Sequence, residues 1–225
     1  MIFNDRTGAG QQLAQQLQSY RGRSDVLVLG IPRGGVPVAY EVATALSAPL
    51  DVFISRKLGV PGQEELAFGA ISSGGVRVME AETVEAMGIS ELEIELIAAQ
   101  ESQELERRER IFRQQRSPLD VSGRTVILVD DGIATGSSML AAIRGLRQMK
   151  PARLVVAVPV APASTCARLR TEVDDLVCLH SPRLFHALGQ FYEDFLQVDD
   201  QTVRDLLARA TPPATGVGTS PPALP

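Results

Sequence analysis

Two adjacent carboxylates, Asp130 and Asp131, follow the apolar run Val126–Val129, and a small-residue turn, Ala134–Ser138, follows them closely. The turn sets the hydroxyls of Thr135, Ser137 and Ser138 around Gly136. Between a strand end and a helix start it would offer an anion the first backbone N–H groups, which have no intrahelical partner. Glycine there lets the main chain approach a ligand closely. Capping a helix takes one hydroxyl; three with a glycine favour a ligand. Side by side, the acids repel unless a ligand's hydroxyls or a hydrated metal ion take up their charge. On an extended chain they point to opposite sides, so they can do different jobs. A polyhydroxy group beside a phosphate, such as a ribose 5-phosphate, satisfies both halves of the pattern. Composition alone sets this reading beside a plainer one, two solvated turn aspartates.

Such groups need a scaffold that gathers strand ends. Leu13 and Leu17 lie at helical spacing within Gly8–Tyr20. Val26–Ile31, Asp51–Ser55, Val126–Val129, Leu154–Val160 and Leu176–Leu179 are short apolar runs, as strands buried on both faces require. Val38–Leu46 and Met139–Met149 read as helices between them. The alternation predicts an α/β fold: a doubly wound, mainly parallel sheet flanked by helices. Ligands of such sheets collect at the carboxyl edge. Four of the runs are followed there by Arg33-Gly34-Gly35, by Arg56-Lys57, by Asp130-Asp131, and by His180 and Arg183. Together they predict a site for a cation and several anionic groups. Asp51 precedes its run and is placed at the opposite edge, so "GIPRGG" is not a dinucleotide fingerprint.

Other chemistries find little support. With 44% hydrophobic residues among 225, a globular chain with a sizeable core is expected. The net charge of −5 argues against nucleic acid as a partner. No apolar stretch reaches the roughly 18 residues of a membrane span, and "MIFNDRTGAG" is not a secretory leader. Cys166 and Cys178 form no spaced framework and read as small apolar residues of a reducing, cytoplasmic protein. His180 and His186 read as ordinary residues rather than a catalytic pair. Ser90–Arg116 is a charged helical stretch whose i,i+4 pairs, Glu104–Arg108, Glu106–Arg110 and Glu109–Arg113, are each worth about 0.2–0.5 kcal/mol. It reads as a solvated surface helix, with a dimer face as the alternative. Residues 1–210 are expected to form one domain with a helical insertion at about 80–118. The Pro- and Gly-rich tail Thr211–Pro225 is expected to be disordered.

"VILVDDGIATGSSM" resembles the phosphoribosyl pyrophosphate (PRPP) motif of type I phosphoribosyltransferases. "LGIPRGGVPVA" resembles that family's pyrophosphate loop and "SRKLGVPGQEELAFGAISSGG" its mobile lid. Over Asp5–Asp200 the arrangement is most similar to a bacterial group of predicted phosphoribosyltransferases with unassigned substrate. The resemblance implies the type I fold with a small hood, a PRPP site and Mg²⁺. Asp130 and Asp131 would hold the ribose hydroxyls, and the metal through water or PRPP. Ala134, Thr135, Gly136, Ser137 and Ser138 would bind the 5′-phosphate. Arg33, Gly34 and Gly35 would meet pyrophosphate, with a cis peptide at Pro32–Arg33. Arg56 and Lys57 would offset charge on the leaving group. The hypoxanthine-guanine enzymes carry an aspartate where this chain has Ala134, so the motif supplies no general base; Glu64 or Glu65 is the candidate instead. Phe185 is the candidate for stacking on the acceptor, with packing over the sheet as the weightier alternative. The family's acceptors are nucleobases or related nitrogen compounds, and its members form homodimers. The implied activity is transfer of ribose 5-phosphate with release of pyrophosphate. A non-catalytic PRPP sensor and a distinct PRPP-dependent hydrolase or transferase are the competing classes.

Overall fold

The computed structural model describes residues 2–113 and 116–210. Five parallel strands make the central sheet: β1 (Val26–Gly30), β2 (Leu50–Val52), β6 (Thr125–Val129), β7 (Arg153–Val160) and β8 (Asp175–His180), in the order β2-β1-β6-β7-β8. A separate antiparallel sheet holds β3 (Ser55–Val60), β4 (Gln63–Ser72) and β5 (Val76–Met79), in that order. The helices are α1 (Arg6–Gln16), α2 (Gly35–Leu46), α3 (Ala81–Met87), α4 (Glu91–Arg113), α5 (Ser137–Gln148), α6 (Ala163–Leu169) and α7 (Asp200–Arg209).

The continuous apolar runs are what a sheet covered on both faces demands. Val26 and Val28 of β1 pack with Leu13 of α1, Leu17 just after it, and Val38 and Val42 of α2. Leu27 and Leu29, one residue out of phase, pack instead with Met139, Ile143 and Leu146 of α5 and Leu169 of α6. Register pairs Gly30 with Val129 and Val129 with Ala157, which sets the ends of β1 and β6 and the late part of β7 side by side. A third cluster, with Phe3, Val160, Phe191 and Tyr192, forms beyond the end of β7. It is clipped together by Phe3 N–H donating to Phe191 C=O and Glu193 N–H to Phe3 C=O, both at 2.8 Å.

Several expectations change in the folded chain. The strand expected at Asp51–Ser55 ends at Val52, and Ser55 opens the next strand. Arg56 and Lys57 therefore ride on a hairpin instead of ending a strand of the main sheet. The stretch that resembles a mobile lid is built as this hairpin, β3 paired to β4 from Ser55↔Ser72 to Leu58↔Gly69, with irregular register at Gly59. Leu58, Val60, Phe68 and Ile71 bury its inner face. Nor is α4 simply solvated. Ala98, Leu105 and Phe112 are buried, and Arg113, expected to pair with Glu109, instead grips Asp51. Asp51 lies within β2, opposite Leu29 and wholly buried, rather than at a free edge. Of the other expected pairs, Glu104 holds Arg108 and also Arg107, while Arg110 donates to the Glu106 carbonyl. The tail Thr211–Pro225 lies outside the described residues.

Candidate active site

The turn after β6 builds its own anion cradle. Gly136 caps α5 with φ +81°, the left-handed region that glycine enters without a Cβ clash. A Cβ there would also come within 2.8 Å of the Thr165 methyl. No side chain caps α5, so the hydroxyls are not spent on the helix end. Thr135 and Ser137 hydroxyls lie 3.4 Å apart, and Ala134, Thr135 and Ser138 are exposed. The carbonyls of the turn are drawn backwards. Ala134 C=O accepts from the Thr165 hydroxyl at 2.8 Å, Thr135 C=O accepts from Arg168, and Gly136 C=O accepts from Leu140 N–H at 2.8 Å. In a planar trans peptide N–H and C=O point opposite ways. The amides of Thr135, Gly136 and Ser137 therefore face out of the turn, beside the positive end of the α5 dipole.

The loop after β1 lies directly on the two acids. Its Pro32–Arg33 peptide is cis, as the resemblance implied. A Cβ on Gly34 would overlap the Asp131 carboxylate, and one on Gly35 would stand 2.8 Å from both Asp130 Cα and Val129 C=O. Glycine is required at both places so that backbone can rest on acid. The loop of Arg33–Gly35 and the turn of Ala134–Ser138 are thus two walls of one site with the acids between. Arg33 stands at its outer rim, 3.8 Å from Asp200 and half exposed.

The acids themselves are unequal. Asp131 is 7% exposed, and its Oδ2 accepts from Arg6 Nε at 2.8 Å. The Tyr192 hydroxyl donates to the Asp131 carbonyl at 2.5 Å. Asp130 accepts from the Asp131 N–H at 2.9 Å and has no cationic partner among the described residues. Burial and the neighbouring charge push the Asp130 carboxyl well above its ordinary range. Burial raises Asp131 too, while Arg6 pulls it back. Arg6 and Tyr192 were not found from the sequence. Only one signal was available: Arg6 is the first residue of α1, where the helix dipole disfavours a cation.

The remaining candidates fall around this centre. Arg56 is held by Glu101 of α4 at 2.6 Å, in a cleft of about 580 Å³ between hairpin and helix. Lys57 lines a cavity of about 280 Å³ together with Ser137 of the turn, Arg168 and Arg144, the last paired with Glu80. Glu65 lies on β4; the side chains of Glu64 and Glu65 are outside the described residues. Phe185 packs against Phe191 with ring centroids 5.3 Å apart, the packing alternative of the two. His180 meets the edge of Phe191 at 5.6 Å, and His186 is exposed. Both cysteines are free; burial pushes the Cys178 thiol up to about 11, leaving it unreactive. Among the described residues no helix is long and apolar enough to cross a membrane.

Comparison with known proteins gives a consistent answer. The family described as "Phosphoribosyl transferase domain" matches residues 6–195. The Mycobacterium tuberculosis proteins named "Putative phosphoribosyl transferase Rv0571c" and "MT0597", from two strains, are each 46% identical over 209 residues. The match covers 93% of this chain and 47% of theirs, so the chain spans about half the length of these relatives. The crystal structure of TT1426 from Thermus thermophilus superposes with a TM-score of 0.85 at 41% identity, over 94% of this chain and 100% of that one. The match from Arg6 to Phe195 takes in both walls of the site and the acids between them, and on this ground the chain belongs to the phosphoribosyl transferase domain family.

Proposed function

We propose that the chain binds PRPP with Mg²⁺ and transfers ribose 5-phosphate to a nucleobase or related nitrogen acceptor, releasing pyrophosphate. The observation that carries this reading is the Ala134–Ser138 turn, whose carbonyls are tied back so that its amides face outward beside Asp130 and Asp131. The amides and the Ser137 and Ser138 hydroxyls take the 5′-phosphate. The acid pair lies on the sugar side of the site, with Asp130, which has no cationic partner among the described residues, meeting the hydroxyls. Arg33, Gly34 and Gly35 meet the pyrophosphate.

The donor set suits a hard divalent cation, since the Asp130 carboxylate offers oxygen and lacks a cationic partner among the described residues. No group of three or more possible metal-ligating side chains occurs among them, so Mg²⁺ would draw most of its ligands from PRPP and water. When bound, the ion would neutralise charge on the departing pyrophosphate. In the reaction the C1–O bond to pyrophosphate breaks and a C1–N bond to the acceptor forms. The protein's part is to fix C1 between the two and to stabilise charge as it develops. Lys57 and Arg168 flank Ser137 and add positive potential beside the phosphate. Arg56, held by Glu101, remains the candidate to offset charge on the leaving group. Glu65 remains the candidate to take the acceptor's proton, and Phe185 to contact the acceptor at the edge of the aromatic cluster.

Calorimetric titration of PRPP with Mg²⁺ tests the donor site, with saturable binding expected. A panel of purines, pyrimidines and other nitrogen bases, assayed for pyrophosphate release, tests the transfer. Binding without release for any acceptor would favour a PRPP sensor; release without an acceptor would favour a hydrolase.

A further inference from the structure

Of two neighbouring carboxylates at one sheet end, only Asp131 is bonded to an arginine among the described residues. Arg6 reaches Asp131 at 2.8 Å with both side chains largely buried, at 12% and 10% exposure. Its position is fixed from three further directions. Nη1 donates to Leu196 C=O at 2.8 Å, the guanidinium lies 3.9 Å over the Phe195 ring, and Asp5 caps α1 by accepting from Gly8 N–H. Phe195 stacks in turn on Tyr192 at 4.8 Å, and the Tyr192 hydroxyl holds the Asp131 carbonyl. The start of the chain and the segment around Phe191–Leu196 therefore converge on one acid of the pair and leave the other alone. α1 has no acidic residue in its first turn, and the neighbouring Asp5 carboxylate is turned to the Gly8 N–H. The compensating charge comes from Asp131, 125 residues away.

We infer that Arg6 is a positioning residue of the donor site: by engaging Asp131 it divides the acid pair, leaving Asp130 to meet the sugar hydroxyls and presenting one net negative charge, not two, to an anionic donor. The inference rests on the PRPP reading given above. Arg6 itself touches Asp131 rather than the sugar, and acts through it. Arginine suits the task because its planar group can bond a carboxylate and a carbonyl while lying on an aromatic ring; lysine supplies only a point charge.

The test is calorimetric titration of PRPP with Mg²⁺ into the intact chain and into R6Q, R6K, D130N and D131N, with melting temperatures taken without ligand. R6Q is expected to weaken PRPP binding about tenfold or more, and R6K to recover part of that loss. D130N is expected to weaken binding about tenfold more than D131N, because only Asp130 is left facing the ligand. Equal losses in D130N and D131N would overturn the inference, and that comparison stands even if R6Q does not fold. So would an R6Q protein of lowered melting temperature that still bound PRPP like the parent, the mark of a purely structural arginine. Failure of the parent itself to bind PRPP would overturn the functional reading and this inference together.

Discussion

Asp51 and Asp131 are both buried carboxylates held by arginine, and the contrast between them separates a structural tie from a site. Around Asp51 the cations outnumber the acid. Arg113 donates through Nε at 3.2 Å and Nη2 at 3.1 Å, Arg116 stands at 3.7 Å, and the Val52 N–H adds a bond of 2.8 Å. The acid is fully served by protein, and it fastens the end of α4 to β2. At the end of β6 the acids outnumber the cation: Arg6 holds Asp131, and Asp130 has no cationic partner among the described residues. Both carboxyls are pushed upward by burial. An acid with surplus cations has no use for a ligand, whereas an acid pair short of one is relieved by it. Charge balance distinguishes the two places; burial does not.

Replacing Asp51 with Asn is the largest expected break in this comparison. It leaves Arg113 and Arg116 inside the protein without their carboxylate, at a cost of about 3–5 kcal/mol. Urea unfolding should show that loss, while the folded fraction keeps the parental affinity for PRPP with Mg²⁺. Loss of affinity in step with stability would erase the distinction between tie and site.

Asp130→Asn sharpens the other side. Removing a charged acceptor from a ligand's hydroxyls should weaken PRPP binding about ten- to a hundredfold. Stability should hold or rise, because one of two repelling buried charges is gone. A marked fall in melting temperature would instead make Asp130 a structural acid like Asp51.

Glu104 supplies the smallest effect and a baseline. It pairs with Arg107 and Arg108 at 2.7 Å on the outer face of α4, and their bonds lower its carboxyl from 4.5 to about 2. Because the folded value is depressed, its contribution is present above about pH 4.5 and is lost as pH falls toward 2. In solvent such a pair adds little, so Glu104→Gln should melt with the parent at pH 7. A clear destabilisation there would mean that exposed and buried pairs in this protein are not different in kind.

Much of the scaffold was legible because its signals are local. Val126–Val129 is apolar throughout since β6 is covered on both faces, and the small turn ending in Gly136 is required by one left-handed residue. The alternation of such runs with helices gave the parallel sheet. The hairpin was not legible: the segment was recognised only by its likeness to a lid, and the inward faces of Leu58 and Phe68 became apparent only with their neighbours in place. Arg56 was misplaced for the same reason, since a strand that ends earlier than expected, at Val52, moved it to the side of α4.

The sequence by itself determined the strand, the paired acids and the phosphate-type turn, because residues adjacent in the chain set their own backbone geometry and hydrogen-bonding groups. Tertiary structure alone decided which acid is paired and which is left open. Arg6 and Asp131 are 125 positions apart, and no local pattern specifies an ion pair between them. Their meeting follows from α1 packing over the sheet beside α2 and from the aromatic segment that closes over it, which are properties of the whole fold.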